Sequence, residues 1–140
     1  MGYKKRLYPC AYGDLSKNPL VILDGAHNPD GAMALSKFME DYSGKITALI
    51  GVMKDKNYKD VLSLTLKHCK SVVCVTPNDL PRALKGEELI KEAKEYCPDA
   101  TFENSILEGF KTAKEKAENE PIFIFGSLYL ASNIRKYFKE

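Results

Sequence analysis

The sequence predicts an α/β fold, namely a doubly wound, mainly parallel sheet of about five to six strands with helices on both faces. Short runs of consecutive apolar residues recur along the chain, which is typical of strands buried on both faces. Between these runs lie longer stretches whose apolar residues repeat at helical spacing. Strand and helix patterns alternate about five times, and this alternation favours parallel strands joined by crossover helices.

The apolar runs define the expected strands. They lie at 20–23, 46–52, 71–75, 101–102 and 121–125. The first helix is expected to open at Asn28, because asparagine suits the N-cap and Pro29 suits the first helical position. Further helices are expected at 58–69, 86–96, 106–118 and from Ser127 to Phe138. The residues of 86–96 expected to face inward are Leu89, Ile90, Ala93 and Tyr96.

The chain divides into an N-terminal arm or linker at 1–19 and a single domain at 20–140. The first part holds no regular period and is interrupted by prolines and a glycine. The second part contains no interior linker, low-complexity segment or sequence repeat. With 140 residues, of which 44% are hydrophobic, the chain can bury the core of one domain.

Charge and hydropathy exclude several classes of function. Charged residues make up 29% of the chain but leave a formal net charge of only +2, so no nucleic acid and no membrane is expected as a partner. No apolar stretch approaches the roughly 20 residues that cross a bilayer. The basic N-terminus is not followed by the apolar region of a secretory signal, and a cytoplasmic protein is expected.

The cysteines and histidines predict no metal site. Cys10, Cys69, Cys74 and Cys97 form no CxxC pair, and the two histidines lie far apart in sequence. This spacing does not match a structural zinc site. Buried free thiols in a reducing compartment are therefore expected.

The loop after the first strand combines an acid, an imidazole and an amide at a helix start. It runs from Asp24 through His27 and Asn28 to Pro29. The free N–H groups of a helix start can hold a carboxylate or a phosphate oxygen. His27 can donate to a developing negative charge or exchange a proton near neutral pH. The spacing is equally compatible with a turn acid, a plain cap and a surface histidine.

Two other expected strand ends carry polar groups. Lys54 and Lys56 follow the second strand, and a lysine there is a point charge for a carboxylate or a solvated loop charge. Ser127 follows the last strand, where it can cap a helix and face the crevice. Complete nucleotide-binding motifs are absent, since the chain holds neither GxxxxGK[ST] nor GxGxxG after a strand.

Four segments occur in an order that resembles a known family. They are LVILDGAHNPDG at 20–31, GVMKDKN at 51–57, TPNDLPRALKGEEL at 76–89 and FGSLYL at 125–130. The chain is similar in these segments to the C-terminal, glutamate-binding domain of folylpolyglutamate and dihydrofolate synthetases, which belong with the murein peptide ligases. The four segments cover the chain from about residue 16 to residue 135, and the first of them is specific.

The resemblance implies an ATP-dependent ligase that joins glutamate to a folate. ATP phosphorylates the terminal carboxylate of the folate, and the amine of a new glutamate attacks the acyl phosphate, giving an amide, ADP and phosphate. The ATP-binding module of such a ligase precedes this domain and holds the phosphate loop, the magnesium and most of the ATP. The isolated chain is therefore expected to be inactive.

Carried over by motif, Asp24 and His27 are expected to be catalytic residues. Asp24 and Asn28 are expected to face the nucleotide, with His27 and Asn28 at the junction of acyl phosphate and glutamate. Asn28, Lys56 and Ser127 are expected to bind glutamate. A dianionic amino acid suits two helix N-termini and a lysine.

The sequence departs from the family pattern at one place and leaves alternatives open. Family members usually carry Pro-Gly-Arg just ahead of this domain, whereas residues 8–11 read Tyr-Pro-Cys-Ala. A non-catalytic small-molecule or protein-binding module that kept the fold is the alternative from another class. A murein peptide ligase domain is the alternative within the ligases, and the folate substrate of the leading hypothesis is open between the two synthetase activities.

Overall fold

The computed structural model describes residues 5–9, 20–54, 57–78 and 81–135. These residues form one six-stranded sheet with the order β1-β2-β6-β3-β4-β5. The strands are β1 (Lys5–Pro9), β2 (Leu20–Asp24), β3 (Ile46–Ile50), β4 (Cys69–Cys74), β5 (Ala100–Phe102) and β6 (Ile122–Phe125). Strands β2 to β6 are parallel, and β1 pairs antiparallel with β2 at the edge.

Within the described ranges, five α-helices cover the two faces of the sheet. They are α1 (Pro29–Met39), α2 (Tyr58–Thr65), α3 (Gly86–Ala93), α4 (Ile106–Ala117) and α5 (Leu128–Arg135). Helices α1, α2 and α3 pack on one face, and α4 and α5 pack on the other. Strand β6 shows why both faces are apolar, since Phe123 belongs to the first core and its neighbours Ile122 and Ile124 belong to the second. The doubly wound fold predicted from the sequence is confirmed.

The structure corrects the sequence-based prediction in three places. Lys5–Pro9 form a strand, although no period in the sequence marks one. The helix expected at 58–69 ends at Thr65 and continues as a 3₁₀ turn over Leu66–His68, so the next strand begins at Cys69. Helix α3 ends before Tyr96, which was expected to face inward but is 38% exposed. Residues 10–19 and 136–140 lie outside the described residues, and so does the predicted end of the last helix.

The described cysteines carry free thiols, as predicted. Cys69, Cys74 and Cys97 form no disulfide, and Cys74 is fully buried in β4. Burial raises the pKa of the Cys74 thiol to about 12. Such a thiol stays protonated near neutral pH and therefore plays a packing role. Cys10 lies outside the described residues.

His68 links α1 to the segment before β3, at the end of the sheet opposite the strand carboxyl ends. Its Nε2 lies 3.0 Å from the Ser36 hydroxyl of α1, and its Nδ1 lies 3.0 Å from the Ser43 hydroxyl. A neutral imidazole satisfies both contacts by donating to one hydroxyl and accepting from the other. Burial lowers the pKa of His68 from its ordinary 6.5, and the neighbouring Lys67 lowers it further.

We expect the folded chain to lose stability as the pH falls below about 6.5. The unfolded chain takes up a proton on His68 at higher pH than the folded chain does, so stability is full above that value and declines toward the lower folded pKa. Urea unfolding at pH 7.5 and 5.5 measures the change, with His68→Gln as the comparison. A variant with the same pH dependence as the wild type would contradict this role.

Candidate active site

A cleft opens beyond the carboxyl ends of β2, β6 and β3. Helices α1 and α2 leave toward one face while α5 leaves toward the other, which is the arrangement that creates a crevice in a doubly wound sheet. The cleft has a volume of about 500 Å³. The residues that line it are His27, Asn28, Met53, Asn57, Arg82, Ser127, Leu128 and Tyr129.

Asp24 is buried at the end of β2 and holds the loop that follows it. Only 1% of the residue is exposed, and its Oδ1 accepts a hydrogen bond of 2.8 Å from the Ala26 N–H. The Ala26 carbonyl in turn accepts from the Gly126 N–H at 3.1 Å. Through these two bonds Asp24 ties the loop after β2 to the turn after β6.

The His27 side chain is exposed in the cleft, and one of its ring nitrogens makes a hydrogen bond. Its Nδ1 lies 3.0 Å from the Gly25 carbonyl oxygen. Because a carbonyl can only accept, this bond places a proton on Nδ1 and leaves Nε2 of the neutral ring as an acceptor. Neutral His27 is thus arranged to take a proton, and it could donate to an anion from Nε2 only as the imidazolium.

Three helices of the described residues begin at the cleft and turn their positive ends toward it. The Asn28 side chain caps α1 by accepting from the Gly31 N–H at 2.9 Å. The buried Ser127 hydroxyl caps α5 by accepting from the Leu130 N–H at 2.9 Å. Asn57 precedes α2. Helix starts of this kind favour anionic groups of a ligand.

Gly126 lets the strand ends approach closely. Its φ of +116° lies in the region that favours glycine, and a Cβ there would lie 2.6 Å from the Gly51 carbonyl oxygen. Gly51 belongs to the loop after β3, so the turn after β6 rests directly on backbone of its neighbour.

The opposite wall is a short two-stranded ribbon between the loops after β3 and β4. Met53 and Ala83 form an antiparallel bridge. The Lys54 N–H donates to the Arg82 carbonyl at 2.6 Å, and the Leu84 N–H donates to the Val52 carbonyl at 2.9 Å. The ribbon holds Arg82 exposed at the cleft and adds a guanidinium to the helix starts.

The comparisons with known proteins identify the family. Residues 11–137 match the family described as the dihydrofolate synthetase C-terminal domain. The chain belongs to this family. The folylpolyglutamate synthase of Lacticaseibacillus casei is 32% identical over 132 residues, which span 92% of this chain and 29% of that protein. The dihydrofolate synthase/folylpolyglutamate synthase of Haemophilus influenzae is also 32% identical, over 79% of this chain and 27% of that protein.

Solved structures share the fold of this chain. The Mycobacterium tuberculosis folylpolyglutamate synthase complexed with ADP matches with a TM-score of 0.79 and 26% identity, over 87% of this chain and 30% of that chain. A bifunctional folylpolyglutamate synthase/dihydrofolate synthase with Mn, AMPPNP and L-glutamate bound matches with a TM-score of 0.69 and 24% identity, over 84% and 29% of the two chains. The chain thus spans less than a third of the length of these proteins.

The structure brings together three of the residues predicted from the sequence. His27, Asn28 and Ser127 line one cleft. Asp24 lies beneath the loop and does not line it, and Lys56 falls outside the described residues. The roles assigned to all five residues stay predictions.

The sequence-based prediction missed the other five residues that line the cleft, namely Met53, Asn57, Arg82, Leu128 and Tyr129. Arg82 lies in one of the four family-like segments, which was the available signal, but its position depends on the ribbon with Met53.

No helix in the described part of the chain is long and apolar enough to cross a bilayer. Within the same residues, no group of three or more His, Cys, Asp or Glu side chains could hold a metal ion.

Proposed function

We propose that this chain is the glutamate-presenting domain of an ATP-dependent ligase that adds glutamate to a folate. The proposal rests on one observation above all: three helix starts, Arg82 and the acceptor nitrogen of His27 meet in a single cleft. Donors and positive charge suit a dicarboxylic amino acid, and a free imidazole acceptor suits the loss of a proton from its amine. The names of the relatives supply the folate as the second substrate.

The cleft offers separate partners for the two carboxylates of glutamate. The N–H groups at the starts of α1 and α5, near Asn28 and Ser127, form one positive region. The Arg82 guanidinium on the ribbon forms another, and Lys56 is predicted to add a charge from the same loop as Lys54. Two positive regions on facing walls fit an extended dianion better than they fit a single phosphate.

His27 is placed to assist the bond-forming step. The amine of glutamate attacks the acyl phosphate carbon of the activated folate, an amide bond forms, and inorganic phosphate leaves. The attacking nitrogen must lose a proton, and His27 Nε2 is the acceptor that the Gly25 contact leaves available.

ATP and magnesium are expected to be held by the preceding modules of the ligase. The described residues hold no phosphate loop and no cluster of carboxylates that could hold magnesium. Asp24 is too deeply buried in this arrangement to ligate a metal in the cleft. The contribution of this domain is therefore the amino acid and the base, and the folate rather than the murein branch is favoured by the relatives.

Titration of the isotope-labelled chain with glutamate tests the proposal. We expect a dissociation constant in the millimolar range, about −4 kcal/mol, because the cleft is open on one side. NMR amide shifts are expected first near Asn28, Arg82 and Ser127. Arg82→Gln and Lys56→Ala should each weaken binding several-fold, whereas Lys85→Gln, an exposed charge next to α3, should not. Shifts confined to the opposite edge, around Ser43, would place the site elsewhere.

A further inference from the structure

Asn57 holds an unusual backbone conformation at the mouth of the cleft. Its φ of +81° is one of two positive values found for non-glycine residues in the described chain. The residue stands at the N-cap position of α2, yet its side chain makes no capping hydrogen bond. The side chain is exposed and lines the cleft instead. With this left-handed backbone the Asn57 side chain does not cap α2, and the residue contributes to the lining of the cleft.

The side-chain oxygens of the other two helix-start residues each accept a capping hydrogen bond. Asn28 Oδ1 accepts from Gly31, and Ser127 Oγ accepts from Leu130. Arg82 and the helix N–H groups can only donate. The cleft is therefore rich in donors, and Asn57 Oδ1 is the side-chain oxygen at a helix start that capping leaves for a ligand.

Glutamate presents donors as well as acceptors. Its two carboxylates match the donors of the cleft, but its α-amino group carries N–H bonds that need acceptors. His27 Nε2 can take one of the protons from nitrogen, and a second acceptor is needed to hold the remaining N–H bonds and so direct the lone pair. A neutral amide oxygen suits this task, because it accepts without becoming protonated.

We propose that Asn57 recognises the α-amino group of the incoming amino acid by accepting a hydrogen bond at Oδ1. The inference rests on the proposed function and adds the group that distinguishes an α-amino acid from a simple dicarboxylate. Asn57 is thereby a specificity-determining residue, and His27 is the base for the same nitrogen. The positive φ of Asn57 is consistent with this role, because unusual backbone conformations of non-glycine residues cluster at functional sites.

Glutarate tests this assignment, since it is glutamate without the α-amino group. NMR titration of the wild-type chain should show glutamate binding about tenfold more tightly than glutarate. Asn57→Gly removes the amide and keeps the backbone relaxed, because glycine accepts a φ of +81° readily. We expect this variant to bind both ligands within about twofold of each other. Asn57→Asp, which keeps an acceptor, should retain the preference for glutamate.

The outcomes separate this inference from the proposed function. If the wild-type chain bound neither ligand, both would be overturned. If the wild type bound glutamate and glutarate equally, or if Asn57→Gly kept the full preference, the assignment of Asn57 alone would be overturned. Amide spectra of Asn57→Gly that match the wild type outside the loop after β3 establish that the variant is folded.

Discussion

His27→Ala is expected to lower turnover of the ligase by about 100-fold or more. The variant loses the acceptor nitrogen that the Gly25 contact directs into the cleft. Its stability should change little, because His27 is exposed and leaves no cavity. Turnover can be measured in a hybrid enzyme in which this chain replaces the matching part of the Lacticaseibacillus casei synthase, with the wild-type hybrid as reference.

Lys37→Ala provides the matched control, since Lys37 is an exposed residue of α1, at the far end of the helix that follows His27. It should leave both turnover and stability within about twofold of the reference. Wild-type turnover in His27→Ala would remove the residue from the mechanism. A large loss of folding stability would instead show that its contact with Gly25 is structural.

Gly126→Ala is expected to destabilise the fold by about 3 kcal/mol. A φ of +116° costs any side chain conformational energy, and the new Cβ would lie 2.6 Å from the Gly51 carbonyl oxygen. The Cβ is fixed rigidly to the backbone after β6 and the oxygen belongs to the backbone after the adjacent β3, so neither atom can move without disturbing the sheet. Urea unfolding of the chain measures the loss.

Gly44→Ala separates the two contributions. Gly44 has a φ of +83°, but no atom lies within 4 Å of the position that its Cβ would take. This variant should therefore lose only the conformational part, about 1 kcal/mol. Equal losses in Gly44→Ala and Gly126→Ala would show that the contact with Gly51 relaxes without cost.

Buried parallel strands and their order of alternation with helices were readable from the sequence. Strand β6 is an unbroken apolar run because both of its faces are covered, and Asn28 caps α1 as the residue types require. The sequence does not predict β1, because this strand has no apolar pattern of its own. It forms by pairing with β2 at the sheet edge. Its proline lies at the strand end, where a missing donor is tolerated.

The candidate site was partly readable for a related reason. His27, Asn28 and Ser127 follow strands directly, and parallel strands bring their carboxyl ends to one edge. Arg82 and Asn57 could not be assigned this way. Arg82 reaches the cleft through a bridge between two loops, and Asn57 does so through a left-handed backbone, neither of which leaves a pattern in the residue types.

The antiparallel direction of β1 has a consequence for the route of the chain. Lys5 pairs with Asp24 and Pro9 pairs with Leu20. Strand β1 therefore begins beside the carboxyl end of β2, where the cleft lies, and runs away from the cleft. Any module joined ahead of Lys5 would therefore be connected to this domain at the cleft end of the sheet. Contact between such a module and the cleft would be intramolecular, with an effective concentration set by the length and stiffness of the connection. Even a weak affinity between such a module and the cleft would then keep the two engaged for much of the time.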